Sequence, residues 1–311
     1  MNHLRMEKLG NLGEHEAIRR LTATLGGHPQ LRTGTGDDCA VAELPGTGTD
    51  QVFTTDPVVE NVHFQPMEQP ERIGNKAVGR VLSDIAAMGA QPQWILVNVV
   101  APPEQDFQTL EKIYVGMNTL CNRFGATIIG GDLAQGSCLE LHLFGTGLLP
   151  SGTALLRSGA RPGDSILATG PLGCSIEGKH LDFVPKVAEG GFLRETGLVN
   201  AMMDISDGLA TDLRHILRQS GVGAILDAEA IPRVGTLEQA LHDGEDFELL
   251  LTASPKNTEV LRFQWLERFG TELPTIGTIT DEVEILNLRK GGALQRLGAK
   301  AFEHFSGKST N

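Results

Sequence analysis

The sequence predicts an α/β chain, mixed α+β in style, divided into two domains. Helix-period and strand-period stretches alternate along its length. Its 311 residues suffice for two ordinary hydrophobic cores. Pro, Gly and Ser cluster at "LLPSGTALLRSGARPGD", after one strand signal and before the next, which divides residues 1–150 from 151–311.

In the first half, apolar residues at helical spacing predict a helix over Glu14 to Leu25, with Ile18, Leu21 and Leu25 on one face. A second helix is expected over Pro70 to Met88, where Ile73, Ala77, Val81, Ile85 and Met88 share a face. A third runs from Glu104 to Phe124, with Phe107, Leu110, Tyr114, Met117 and Leu120 as its stripe and Gly125 as its stop. The β-rich runs "QVFTTD", "WILVNVV", "ATIIGGD" and "LELHLFGTGLL" lie between them. The second half predicts strands at "SILATG", "NAMMDI", "GAILDA", "FELLLTA", "TIGTIT" and "VEILNL", with helices over Ser206 to Gln219 and around Asn257 to Phe269.

Lys and Arg number 26 against 39 Asp and Glu, a net charge of −13. Such a surface repels nucleic acid and anionic lipid, so neither is an expected partner. An acidic enzyme that handles anions must recruit cations. The four cysteines form no C-x-x-C pair, which argues against a zinc site or a disulfide framework. No apolar run approaches the roughly 20 residues that span a bilayer, and the first residues lack the apolar centre of a signal peptide. The expectation is a soluble cytoplasmic protein.

The acids fall in a pattern. "TGTGDDCAV" supplies Asp37 and Asp38, "FTTDPVVENVHF" Asp56, "LSDIAAMGA" Asp84, "IIGGDLAQG" Asp132, and "MDISDGL" Asp204 and Asp207. Each adjoins Gly, Ser or Thr at the edge of an apolar element. A single Asp there reads as a turn or cap residue; five such stations together read as carboxylate and hydroxyl oxygens arranged for hard cations. A charge in an apolar setting needs a counter-charge, hydrogen bonds or a metal. Asp212 lies five residues beyond Asp207, roughly 140° around a helix, and reads as solvated or capping.

No Walker A loop is present: "SGKST" at Ser306 to Thr310 has Phe302 where the first glycine belongs. A protein-kinase glycine loop, a G-x-S-x-G elbow and an H-E-x-x-H pair are also missing. A nucleotide would need another cradle, for which "GGD" after a strand, with acids holding Mg2+ between phosphates, is workable.

Taken in order, "GDDCAV", "TTDPVVENVHF", "LSDIAAMGAQP", "IIGGD", "LLRSGARPGD", "MMDISDGLATDL" and "DGEDFELLLT" resemble the thiamine-monophosphate kinase family, within the superfamily of aminoimidazole ribonucleotide synthetase and selenophosphate synthetase. The resemblance covers nearly the whole chain. It implies an N-terminal mixed sheet with helices that pairs two chains into a homodimer through its strands, and a C-terminal α/β sandwich. The implied reaction transfers the γ-phosphoryl of ATP directly onto thiamine monophosphate, with several Mg2+ ions.

By motif match, Asp38, Thr54, Thr55, Asp56, Asp84, Asp132, Asp204 and Asp207 would be Mg2+ ligands. Tyr114, Gly130, Gly131, Asp132, Arg157 and Ser206 would touch ATP, and His63, Glu245 and Phe302 the thiamine portion. Asp84, Asp204, Asp207 and Arg157 would carry the catalysis. Arg157 also reads as a surface ion-pair partner, His63 as a satisfied core histidine, and Phe302 as a pin for the C-terminus. The chain departs from the family pattern at Asp243, where glycine is usual, at Leu133 after "GGD", at Ala301 and at Lys186.

The chemistry fits this residue set. A phosphate acceptor has a second pKa of about 6, so it is largely ionised at neutral pH and needs no general base. Repulsion between two polyanions is the obstacle, and cations held by carboxylates relieve it. Two alternatives stay open: a sister ATP-dependent synthetase of the same superfamily, and a non-catalytic acidic protein that binds divalent cations.

Overall fold

The computed structural model describes residues 8–298. Its first half begins with helices α1 (Leu9–Leu12) and α2 (Glu14–Thr22) and strands β1 (Leu31–Thr33), β2 (Ala40–Leu44) and β3 (Thr49–Val59). It continues through α3 (Pro70–Ala87), β4 (Gln91–Ala101), α4 (Phe107–Phe124), β5 (Thr127–Gln135) and β6 (Glu140–Pro150). The six strands form one sheet in the order β1-β2-β3-β6-β4-β5. Every pairing is antiparallel except β4 with β5.

Helices α3 and α4 cover one face of this sheet. The period of α3 is as expected: Ile73, Ala77, Val81, Ile85 and Met88 are all buried. It packs closely on α4 because Gly74 and Gly116 bring the two backbones together; a Cβ on either would stand 2.0 Å from a carbonyl oxygen of the other helix. That contact turns α4 away from the expected stripe. Phe107 and Tyr114 are exposed, and Ile113, Gly116 and Cys121 join Met117 and Leu120 in the core. The expected apolar face of α2 is exposed at Ile18 and Leu21, and the helix stops three residues early, before Leu25.

The second half contains β7 (Ser165–Ala168), α5 (Lys179–Asp182), α6 (Val187–Thr196), β8 (Ala201–Asp204), α7 (Leu209–Ser220), β9 (Gly223–Asp227) and α8 (Leu237–His242). It ends with β10 (Leu249–Ala253), α9 (Pro255–Phe269), β11 (Thr275–Thr280), β12 (Leu286–Lys290) and β13 (Ala293–Arg296). Seven strands pair in the order β13-β12-β9-β11-β7-β10-β8, with β9 and β12 parallel. The period of two along each strand divides its side chains between two cores. Ile166, Met203 and Leu250 pack with Leu213 and Ile216 of α7, whereas Leu167, Met202 and Leu251 pack with Leu193 of α6 and Trp265 of α9.

Two boundaries matter for the site. Helix α7 begins at Leu209, so Ser206 and Asp207 occupy the turn before it and not its first residues. The "GGD" triplet lies inside strand β5 and not in a turn after a strand. No described helix is long and apolar enough to cross a membrane.

Candidate active site

Four segments meet between the two sheets. Strand β3 alternates, so Thr54 points with Val52 toward α3 while Thr55 takes the opposite face and donates its Oγ1 hydrogen to the Leu143 carbonyl at 2.9 Å. Helix α3 brings Ser83 and Asp84 to the same place. Thr54 Oγ1 donates to Asp84 Oδ2 at 2.5 Å, and Ser83 Oγ donates to Asp204 Oδ2, at the end of β8, at 2.6 Å. The loop before β2 supplies Asp37 and Asp38.

Asp38, Asp84 and Asp204 each place an oxygen within 4.8 Å of the others. Burial pushes all three carboxyls up, Asp84 well above its ordinary range and Asp204 to about 7, and their mutual repulsion adds to this at Asp84 and Asp204. Burial likewise holds Asp37 up at about 6, opposed by the Arg157 backbone N–H, which donates to it at 2.6 Å. The Arg157 guanidinium grips Asp38 Oδ1 through Nε at 3.1 Å and through Nη2. Asp38 Oδ2 is buried with no hydrogen-bond partner. Three crowded carboxylates, one of them carrying an orphaned oxygen, are a donor set suited to Mg2+.

Around the cluster lies a cleft of about 590 Å³, lined by Asp37, Asp38, Thr54, Thr55, Asp56, Asp84, Arg157, Asp204, Ser206 and Asp207. It adjoins a smaller cavity of about 100 Å³ that contains Glu245, Asp243 and Ile176. The proposed thiamine residues His63 and Glu245 both reach this region, though each is already engaged. His63 is 8% exposed and its Nδ1 accepts the Val59 N–H at 3.0 Å.

Glu245 sits in a backbone turn of positive φ, 54° there and 50° at Phe247, a costly geometry for residues with a Cβ. The turn is held by Glu245 N–H donating to Ser206 O at 2.7 Å and Phe247 N–H to Ile205 O at 2.8 Å. The Glu245 side chain meets three bases: Lys76 Nζ at 2.5 Å, His180 Nδ1 at 3.0 Å and Arg80 Nη1 at 3.1 Å. Burial alone would push Glu245 up, but these partners outweigh it and bring the group to about 2. For Lys76, which is fully buried, burial wins over the pull of Glu245 and lowers the ammonium.

Sequence reasoning missed Lys76 and Arg80. Both lie on α3 one and two turns before Asp84, at a spacing of four, and that repeat of charge beside a fully apolar stripe was the available signal. Arg80 grips Asp56 with Nε and Nη2 at 2.7 and 2.8 Å. Asp212 corrects an expectation: it is 1% exposed and not solvated, and its Oδ2 accepts the Asp207 N–H at 3.0 Å. Burial and the neighbouring Asp207 and Asp204 push its carboxyl well up.

Other expected residues lie apart. Asp56 pairs with Leu143, Leu143 with Val97, and Val97 with Gly131. Three strand spacings, roughly 14 Å, therefore separate Gly131 from Asp56. Gly130, Gly131 and Asp132 lie exposed on the edge strand β5, and Tyr114 is exposed on α4. None of them lines the cleft. Gly131 has a packing reason as well, since a Cβ would stand 1.8 Å from Val97 O. Phe302 lies outside the described residues.

The two mixed sheets and the acid cleft between them define a class. Residues 36–149 match the model for the N-terminal domain of AIR synthase related protein, and residues 174–286 match its C-terminal domain. The thiamine-monophosphate kinase of Salmonella typhimurium is 34% identical over 307 residues, covering 89% of this chain and 93% of its own. A solved structure of AaThiL complexed with AMPPCP and TMP has a TM-score of 0.84 at 25% identity, over 96% of this chain and 99% of that one. Thiamine-monophosphate kinase from Stenotrophomonas maltophilia has a TM-score of 0.71 at 29% identity, over 89% and 96%. The chain belongs to the thiamine-monophosphate kinase family.

Proposed function

We infer that the chain phosphorylates thiamine monophosphate with ATP, and that it does so by direct in-line transfer. The carrying observation is the convergence of Asp38, Asp84 and Asp204 beside a cavity fit for a small ligand. In the transfer, an oxygen of the acceptor phosphate bonds to the γ-phosphorus while the bond to the β,γ-bridging oxygen breaks, leaving ADP and thiamine diphosphate. The acceptor arrives ionised, so no side chain has to remove a proton.

Asp38, Asp84 and Asp204, with Thr54, Asp56 and Asp207 nearby, would hold Mg2+, and family likeness adds Thr55 and Asp132. Bound there, Mg2+ would neutralise the two phosphate chains and fix their approach. Arg157 is anchored by Asp37 and Asp38 at the cleft wall, where a guanidinium offsets charge on the donor phosphates. Ser206 lies in the turn between cleft and cavity and would contact ATP. Tyr114, Gly130 and Gly131 keep an ATP role, and Phe302 a thiamine role, on family likeness alone.

The homodimer reading draws support from the uncovered face of the first sheet. Trp94, Leu96, Ile129 and Phe144 are all exposed there. Adjacent exposed apolar side chains of this size mark a surface made for a partner. A second copy of the chain is the proposed occupant.

Incubation of the purified chain with MgATP and thiamine monophosphate tests the reading, with ADP and thiamine diphosphate formed in equal amounts as the expected result. Cation binding without turnover would favour a non-catalytic cation-binding protein. Turnover only with another substrate would favour a sister synthetase.

A further inference from the structure

We propose that Arg80 is the residue that binds the acceptor's phosphate. This rests on the reading of the site as one that phosphorylates thiamine monophosphate. The acceptor has two unlike ends, a cationic ring and a dianionic phosphate. The ring suits the cavity of about 100 Å³, which has carboxylates at Glu245 and Asp243 and exposed apolar walls at Val62 and Ile176. The phosphate must reach the acid cleft, where the donor's phosphates lie. It therefore crosses the junction of the two spaces, and the residues common to both are Val62, His63, Arg80, Ser206 and Asp207. Among these, Arg80 alone is an arginine or lysine.

The guanidinium is already set for an anion with two oxygens. Its Nε and Nη2 hold the two carboxylate oxygens of Asp56 at 2.7 and 2.8 Å, while Nη1 holds Glu245 at 3.1 Å. A phosphate presents the same pair of oxygens to such a fork. Asp56 is also a proposed cation ligand, so its oxygens are shared between the fork and the metal site, and its turning to a cation leaves the fork facing the junction. The Phe247 ring lies 5.9 Å from the guanidinium carbon and limits its freedom. Arg157 lines the cleft but not the cavity, which assigns it to the donor and Arg80 to the acceptor.

Calorimetric titration of the wild-type chain, Arg80→Ala and Arg80→Lys with thiamine monophosphate and, separately, with unphosphorylated thiamine tests this. The wild type should prefer the phosphorylated ligand. Arg80→Ala should lose about ten- to hundredfold of that preference, as expected for charged hydrogen bonds, with thiamine affinity changed by less than about threefold. Arg80→Lys, which keeps the charge without the fork, should fall between. Equal weakening of both ligands in Arg80→Ala would make Arg80 a structural tie between Asp56 and Glu245 and overturn the proposal. If Arg80→Ala does not fold, Arg80→Lys decides: several-fold loss of preference supports phosphate binding, and full preference contradicts it. Intact wild-type turnover with unchanged preference in the variants sinks this inference alone. A wild type that binds neither ligand and forms no ADP sinks the functional reading together with it.

Discussion

Ser83 Oγ on helix α3 donates to Asp204 Oδ2 on strand β8 at 2.6 Å, joining the two sheets through a member of the acid cluster. Both residues are nearly fully buried, so water cannot replace the lost donor. Ser83→Ala should lower stability by about 1.5 to 3 kcal/mol, measured by denaturant unfolding in chelator. An unchanged midpoint would show that the bond does not hold the sheets together.

The acid cluster makes a pH prediction. Asp38, Asp84, Asp204 and Asp212 keep their protons in the folded chain to higher pH than in the unfolded one, with Asp204 at about 7. The folded state then binds more protons from about pH 4 up to that value, so stability in chelator should fall as pH rises through this window. Added Mg2+ should raise Tm more at pH 8 than at pH 6, because protons no longer compete for the oxygens. A Tm gain independent of pH would contradict the burial of charge at this site.

Asp212 is a positioning residue, since it acts on Asp207 through a backbone hydrogen bond. Asp212→Asn keeps an acceptor oxygen and removes repulsion, and should stabilise the metal-free chain. Asp212→Ala loses the acceptor and should destabilise it by about 1 to 3 kcal/mol. Thermal unfolding of both in chelator checks the pair, and an equal loss in the two would show that the carboxylate charge, not the acceptor, holds the turn.

The exposed apolar face of the first sheet predicts self-association. Ile129→Lys on β5 should convert a dimer to a monomer in sedimentation equilibrium with little change in Tm of the isolated subunit, because Ile129 is 55% exposed on the uncovered face. A wild type that sediments as a monomer would remove the dimer from the account.

The sequence was legible where one physical force acts. On α3 the apolar stripe faces a sheet along its whole length, so helical spacing alone locates Ile73, Ala77, Val81 and Ile85. On α4 two glycine contacts, invisible to a count of apolar residues, rotate the buried face and leave Tyr114 outside. The acids of the cleft were legible as a pattern, but their grouping depended on folding: Asp38, Asp84 and Asp204 meet, while Asp132 stays on an edge strand. Asp212 departs from its expected solvated role because α7 begins at Leu209, three residues after the expected Ser206, so that its carboxylate meets the turn at Asp207. Lys76 and Arg80 went unread because their partner, Glu245, lies more than 160 residues away.

The central claim is that clustered carboxylates hold cations so that two phosphates can react. Steady-state formation of thiamine diphosphate by Asp84→Asn at saturating MgATP tests it most directly, with circular dichroism as the check on fold. The account predicts a folded variant slowed by about a thousandfold or more, in the range seen when a charge-stabilising group is removed. A folded variant working at near the wild-type rate would contradict it.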